Sequence, residues 1–321
     1  MRHIVFIYCL LAFVLFACKD WGSSPSATVG SKWERTSGPN SSIVCILASD
    51  SSLYTAGSIL SVSTTNGSSW VSHALPVQGN VPSAIAKYKR YLFVSGDGIG
   101  VYQSSDGGAN WQSSSTGLVA LKNYVNTLVV RDSTIFAGTE ESGVFRSTDG
   151  AASWTSANNG LSSPLISALL VQGNAIFAAA WPAIVGGTGF RPGGIFRSTD
   201  DGINWTSVSN GLTDSVVYSL TAKGSSIFAT TMSGIFSSTN SGGSWNNICP
   251  TIASTSMACI GNDFFAAVGS GIMKSTDNGV TWASVSSELQ LPDSSVQHIV
   301  FETNNQFLFA GVGNWVWRYA Q

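Results

Sequence analysis

Three carboxylates, Asp97, Glu140 and Glu141, and one aromatic loop carrying Trp181, Phe190 and Arg191 are the side chains of this 321-residue chain whose type and spacing could do chemistry. Two carboxyl groups held roughly 5 to 9.5 Å apart can divide the acid and base or nucleophile roles of glycoside hydrolysis. The carboxylates fall in turns of consecutive sequence repeats, so Asp97 with Glu140 or Glu141 is the pair such a reaction would use. The loop runs from Ala180 to Gly194, an insertion that makes one repeat longer than the rest. A long apolar loop on a rigid scaffold commonly binds something. Read together, these residues form a candidate binding patch; read blandly, they are a polar rim beside a glycine-rich loop.

What positions them is a repeat. An eight-residue phrase occurs six times: STTNGSSW ending at Trp70, SSDGGANW at Trp111, STDGAASW at Trp154, STDDGINW at Trp205, STNSGGSW at Trp245 and STDNGVTW at Trp282. The tryptophans are 41, 43, 51, 40 and 37 residues apart. Asp106, Asp149, Asp200 and Asp277 occupy the acidic place, while Thr65 and Asn240 replace it in two copies and Ala151 replaces the glycine in another. An aspartate that accepts hydrogen bonds from nearby backbone N–H groups, followed by a glycine in a left-handed conformation, makes a tight hairpin. The tryptophan then begins a strand and packs its ring below. The four aspartates are structural fasteners and not catalytic acids.

The phrase resembles the Asp-box repeat, Ser-x-Asp-x-Gly-x-x-Trp, of sialidases, sortilin-type receptors, xyloglucan-degrading glycosidases and a photosystem II assembly factor. That resemblance implies a β-propeller with ligands on the face opposite the boxes. A sialidase site would need three converging arginines, the first in a Phe-Arg-Ile-Pro-like motif ahead of the boxes. Here Phe190-Arg191-Pro192 lacks the isoleucine and follows three boxes. The xyloglucan-degrading family sets two propellers across a cleft, and this chain has repeats for one.

Strand signals recur around each box, four short β-rich segments per unit. The second appears seven times, as LYTAG, LFVSG, IFAGT, IFAAA, IFATT, FFAAV and LFAGV, one more than the boxes. A seventh unit follows from joining the termini: Val296 to Phe301, Phe307 to Gly311 and Trp315 to Tyr319 supply three strands, and the segment around Trp33 supplies the fourth. Closing the ring removes free sheet edges. The expected fold is all-β, a seven-bladed propeller over 32–321 with about 43 residues per blade.

Composition agrees with an all-β reading. Asp, Glu, Lys and Arg make up only 10% of the chain, against 34 Gly and 11 Trp. With 15 basic and 17 acidic side chains and no basic cluster, there is no electrostatic footprint for nucleic acid. The same lack of a basic face argues against a role in assembling a membrane complex as the photosystem-related relatives do. No cofactor or metal is expected, since His73 and His298 lie far in sequence from any cysteine.

The first residues differ in kind. Arg2 and His3 precede an unbroken apolar run, Ile4 to Ala17, too short to span a bilayer and suited to a secretory signal. Its end, Leu15-Phe16-Ala17-Cys18, resembles a bacterial lipobox, which implies lipidation at Cys18 after removal of 1–17. Segment 18–31 then reads as a flexible tether. The expected setting is the bacterial cell envelope, as an outer-membrane lipoprotein on the periplasmic or the surface side, monomeric. The mature chain keeps Cys45, Cys249 and Cys259, an odd number; a Cys249–Cys259 disulfide is open in an oxidising compartment. Two functions stay in play: a lipid-anchored module holding a protein or glycan partner on its loop face, or a glycoside hydrolase or lyase using Asp97 and Glu140 or Glu141.

Overall fold

The computed structural model describes residues 32–49, 52–76, 80–118, 124–185, 189–269, 271–289, 299–304 and 306–320. The expected lipid site at Cys18 and the tether lie outside the described residues. The described residues form an all-β propeller of seven four-stranded antiparallel blades. The inner strands are Ile43–Ser49 in blade 1, Pro82–Tyr88 in blade 2, Val125–Arg131 in blade 3, Ile166–Gln172 in blade 4, Val217–Lys223 in blade 5, Ser256–Ile260 in blade 6 and Ile299–Thr303 in blade 7. Each lies beside its neighbours around the axis, and the first touches the last.

The second strand of each blade is the most apolar and the most buried. In blade 3, Thr134–Thr139 is buried along its whole length, sandwiched by the blades on either side. The fourth strand is short and exposed, as Thr155–Ser156 illustrates. Apolar burial is therefore concentrated between blades, and side chains from adjacent sheets share seven clusters such as the one joining Phe93, Ile135 and Trp154. That burial drives the fold.

Polar side chains reach from blade to blade, from the second strand at Ser95 and from the inner strands at Asn126, Ser167 and Thr221. Ser95 Oγ donates to Val125 O (3.2 Å), Asn126 Nδ2 to Ile166 O (3.1 Å), Ser167 Oγ to Val217 O (2.8 Å) and Thr221 Oγ1 to Met257 O (2.7 Å). The ring closes as the sequence suggests: Trp33–Pro39 is the outer strand of blade 7, with Trp33 opposite Tyr319, Glu34 opposite Arg318 and Arg35 opposite Trp317. Ile43 N donates to Gly313 O (2.9 Å), which ties blade 1 to blade 7.

The boxes fold as expected with two differences. In blade 2, Asp106 Oδ1 accepts from Ser104 Oγ (2.8 Å) and Asn110 N (2.9 Å), and Ser104 Oγ accepts from Gly108 N (2.8 Å). Two successive residues are left-handed, so Ala151 carries a φ of 71° where other boxes have glycine. The first difference is that the tryptophan does not begin the fourth strand. Trp154 N donates to Thr116 O of the preceding blade (2.9 Å), so ladder pairing starts at Thr155. Trp205 and Trp245 do the same with Asn159 O and Asn210 O. The second is that only Trp154, Trp205 and Trp245 bury their rings and send the indole N–H into the preceding blade, to Ser114 O, Ala157 O and Val208 O. Trp70 and Trp282 bond the carbonyls of their own turns instead, Gly67 O and Gly279 O. Trp111, like those two, is half-buried.

Cys45, Cys249 and Cys259 are free thiols, so the Cys249–Cys259 bridge is not made. Cys45 is buried, and burial pushes its thiol to about 12. Cys259 Sγ donates to Ala222 O across the blade 5–6 boundary (3.6 Å).

Candidate functional site

The loop face is framed by the turns between second and third strands. In three consecutive blades, the residue just beyond the second strand donates its backbone N–H to the carbonyl just ahead of the inner strand. Asp97 N bonds Val81 O (3.1 Å), Glu140 N bonds Tyr124 O (3.1 Å) and Trp181 N bonds Leu165 O (2.8 Å). The three sequence candidates thus occupy the same place in blades 2, 3 and 4. In blade 5, Val217 pairs with Thr231 as Ile166 pairs with Ala180, so Met232 takes that place, 48% exposed. One arc of the rim therefore changes from acid to apolar, blade by blade.

On the acidic side, Asp97 is exposed at its turn, and the packing around it raises its carboxyl above the ordinary aspartate range by partial desolvation. Glu140 is half-buried, and Glu141 stands exposed one residue further out. The Glu140 turn is held by Thr139 Oγ1, which donates to Gly143 O (2.8 Å) and accepts from Ser142 N (3.0 Å).

On the apolar side, the blade 4 insertion is a two-stranded ribbon of Ala183–Val185 and Gly189–Arg191. Ile184 pairs with Phe190, and Ala183 with Arg191. Paired residues share one face of a ribbon and successive residues alternate, so Ile184 and Phe190 stand together, with Arg191 on the other face. Ile184 is 74% exposed and Phe190 68%. The ribbon's root is fixed: Ser162 Oγ donates to Pro192 O (2.5 Å) and Ser163 Oγ to Trp181 O (2.6 Å). A Cβ at Gly193 would fall 2.5 Å from Ala180 O, which reserves that position for glycine.

Trp181 has a different job from Phe190. Its Nε1 donates to Val217 O (2.6 Å), and its ring meets Tyr218 edge-on at 5.6 Å and 90°. The indole is a bracket between blades 4 and 5, half-buried, with its polar edge already used. Beside it, the Met232 turn is pinned by Asp214, whose Oδ2 accepts from Ser233 N (3.0 Å) and Ser233 Oγ (2.7 Å). Burial opposes the charge of Asp214, yet its hydrogen bonds from Val216, Ser233 and Thr231 hold the carboxyl below the usual range.

Ile184, Tyr218, Met232 and Asp214 were not among the sequence candidates. Met232 had a signal: it follows IFATT as Trp181 follows IFAAA. Among the described residues, no three His, Cys, Asp or Glu side chains gather where they could hold a metal ion.

No protein-family model matches the sequence, and no curated protein matches it. Solved structures do resemble it. YCF48 bound to a D1 peptide superposes with a TM-score of 0.69 at 15% identity, over 93% of this chain and 98% of that one. The extracellular domain of the hybrid two component system BT4673 from B. thetaiotaomicron gives 0.69 at 15% identity, over 91% of this chain and 40% of that one. The GH74 xyloglucanase from Xanthomonas campestris gives 0.59 at 14% identity, over 84% and 51%. At these identities the likeness is one of fold.

Proposed function

We propose that this chain is a non-catalytic binding propeller of the bacterial cell envelope, anchored through lipid on Cys18, that captures a protein partner on its loop face. The observation that carries the reading is the Ile184–Phe190 pair, two large apolar side chains held in solvent on a braced ribbon. Exposing them costs solubility with no gain to the fold, and apolar anchors surrounded by polar groups are what protein interfaces use. Trp181, the larger aromatic ring of the loop, offers no free polar edge to a sugar, since its indole N–H is already spent on Val217 O.

The adjoining acids define the partner further. Asp97, Glu140 and Glu141 suit a segment in which Lys or Arg flanks an apolar residue, since opposite charges steer association and fix register. That a protein of the same fold, YCF48, has been seen with a bound peptide is in keeping with peptide capture.

The test compares the intact lipoprotein with an Ile184→Ser/Phe190→Ser variant in a pull-down from crosslinked cells. The expected result is loss of the captured partner at an unchanged melting temperature. Undiminished capture would remove the ribbon from the interface and the reading with it. A Glu140→Gln/Glu141→Gln variant separates the rival: loss of a glycan-cleaving activity in that variant alone would favour a hydrolase or lyase. Radiolabelled fatty acid incorporated by the parent and not by Cys18→Ala tests the anchor.

A further inference from the structure

On the side of blades 4 to 7, the inner strands leave a cavity of about 410 Å3. That size lies within the range of small-molecule sites. Leu170, Leu220, Met257 and Phe301 give it apolar walls, Thr221 a hydroxyl, and Glu302 a carboxyl, the one carboxyl among the described residues that line it.

Glu302 is out of keeping with its layer. Each inner strand sets one residue opposite the aromatic residue of its second strand: Leu47 opposite Tyr54, Ala86 opposite Phe93, Val129 opposite Phe136, Leu170 opposite Phe177, Thr221 opposite Phe228, Ala258 opposite Phe265 and Glu302 opposite Phe309. Six places in this ring are uncharged. The fold is therefore built without an acid there six times over, and the acid at the seventh costs desolvation. Burial pushes the Glu302 carboxyl up to about 7, with one opposing hydrogen bond from Thr303 N to Oε1 (3.1 Å).

Among the described residues, no cation lines the cavity to offset that cost. Lys223, at the end of the blade 5 inner strand, lies over the Phe264 ring (4.2 Å) and donates to Asn278 Oδ1 (3.5 Å), toward the blade 6 box. The other titratable group on the wall, Cys259, has its thiol raised by burial despite the nearby Lys223 charge. It stays neutral.

We propose that the channel cavity is a binding site for a small organic cation, a diamine or alkylamine whose ammonium group pairs with Glu302 while its methylene chain lies on Leu170, Leu220, Met257 and Phe301. An ammonium brought to this carboxyl restores the charge balance that the strands omit, and the apolar walls select for a methylene chain over a bare metal ion. None of the residues lining the cavity is among the loop-face residues Asp97, Glu140, Glu141, Trp181, Ile184, Phe190, Arg191 and Met232, so the proposal holds whatever partner the ribbon takes.

Methyl-labelled methionine makes the test local, because Met257 lines the cavity and Met232 stands on the loop face. Cadaverine titrated into the protein at pH 8 is expected to shift the Met257 methyl resonance saturably and leave Met232 in place. Glu302→Gln should weaken that binding at least tenfold, and n-pentanol should give no saturable shift. Below pH 6 the parent should lose affinity, since Glu302 gains a proton while the amine keeps its charge and Cys259 stays a thiol. Glu302→Leu, which copies Leu170, is the control for folding should the Gln variant be unstable, and it too should fail to bind. An unmoved Met257, equal affinity in the Glu302 variants, pentanol matching cadaverine, or a response to calcium alone would each overturn the assignment.

Discussion

Arg146 donates from Nη1 to the backbone carbonyl of Asp201 in the next blade, over 3.0 Å. The contact belongs to a series. Gln103 reaches Gly150 O (3.4 Å), Arg197 reaches Ser241 O (3.2 Å) and Arg318 reaches Asn66 O (3.1 Å). Every donor is the residue just before a box serine or its counterpart on the third strand, and every acceptor is the left-handed residue after the box acid position one blade on. A left-handed turn points that carbonyl away from its own hairpin, and the neighbour's side chain satisfies it. Blade 7 has no box for Lys274 of blade 6 to reach, and Lys274 bonds Tyr319 Oη (2.7 Å) and Asp263 (2.8 Å) instead.

Replacing Arg146 with Met keeps the packing stem and removes the strap. A charge-assisted hydrogen bond to a part-buried carbonyl is worth about 1 to 2 kcal/mol, and urea unfolding should show a loss of that order. Arg131 also meets Asp201, at Oδ1 (3.2 Å), so an Arg131→Met/Arg146→Met pair should lose more than the sum of the single variants. Strict additivity would mean that the two arginines do not hold Asp201 jointly.

The repeat made the architecture legible because each level agreed: box, second strand and spacing all pointed to one blade, and the count of second strands asked for a seventh. The arginines before the boxes recur visibly, at 146 and 197, but their partners are one blade away, and a repeat read by itself does not show what it touches in the next. The same limit hid the split among the tryptophans, since Trp154 and Trp282 sit in like phrases and differ only in the neighbour their indoles meet. At the site, Asp97, Glu140 and Trp181 could be placed on one face by counting strands, and the pairing puts them in equivalent positions. Ile184 was passed over because an apolar residue in a loop has no charge or ring to mark it. Glu302 was missed because a single acid in a strand pattern looks like a solvated face until the ring encloses it.

The box carboxylates should govern acid stability. Hydrogen bonds from the residue four places on and from the box serine hold Asp106, Asp149, Asp200 and Asp277 at about 2. Against an unfolded value of about 3.9, each adds stability that is fully present above that value and is lost as pH falls toward the folded one. Asn240 shows the neutral substitute: its Oδ1 accepts from Ser238 Oγ and Ser244 N (both 2.9 Å) and its Nδ2 donates to Ser244 Oγ (3.0 Å). Asp277→Asn should therefore melt near the parent at pH 7 and lose less on acidification from pH 5 to pH 2. Parallel acid profiles for the two proteins would assign the sensitivity elsewhere.

Box glycines should differ sharply in what they tolerate. A Cβ at Gly108 would lie 2.1 Å from Leu60 Cδ2, and Gly108→Ala should cost at least about 2 kcal/mol through overpacking. Ala151 already accommodates a methyl, fully buried in the cluster that holds the shorter Val101. In Ala151→Gly, relief of the left-handed φ, about 1 kcal/mol, opposes loss of a buried methyl worth about 0.8 kcal/mol. The net change should stay within about 1 kcal/mol, and denaturant midpoints for both variants measure the contrast.

Trp33 should control the whole ring rather than one end of it. The residue is 4% exposed, with Phe265 edge-on at 5.5 Å and Tyr319 at 5.3 Å, so its strand binds blade 6 and the third strand of blade 7 at once. Trp33→Ala removes about 3 to 5 kcal/mol of core packing. In an open array the end unit would fray and leave the others standing, because each repeat meets only its neighbours. In a closed ring the loss frees two sheet edges together, and the bonds between blades made by Ser95, Asn126, Ser167 and Thr221 then have no fixed circumference to act across. The expected outcome is a lowered melting temperature with far-ultraviolet dichroism and tryptophan fluorescence still changing in a single coincident transition. Two separated transitions, the later at the parental temperature, would show that this strand closes the circle in outline only.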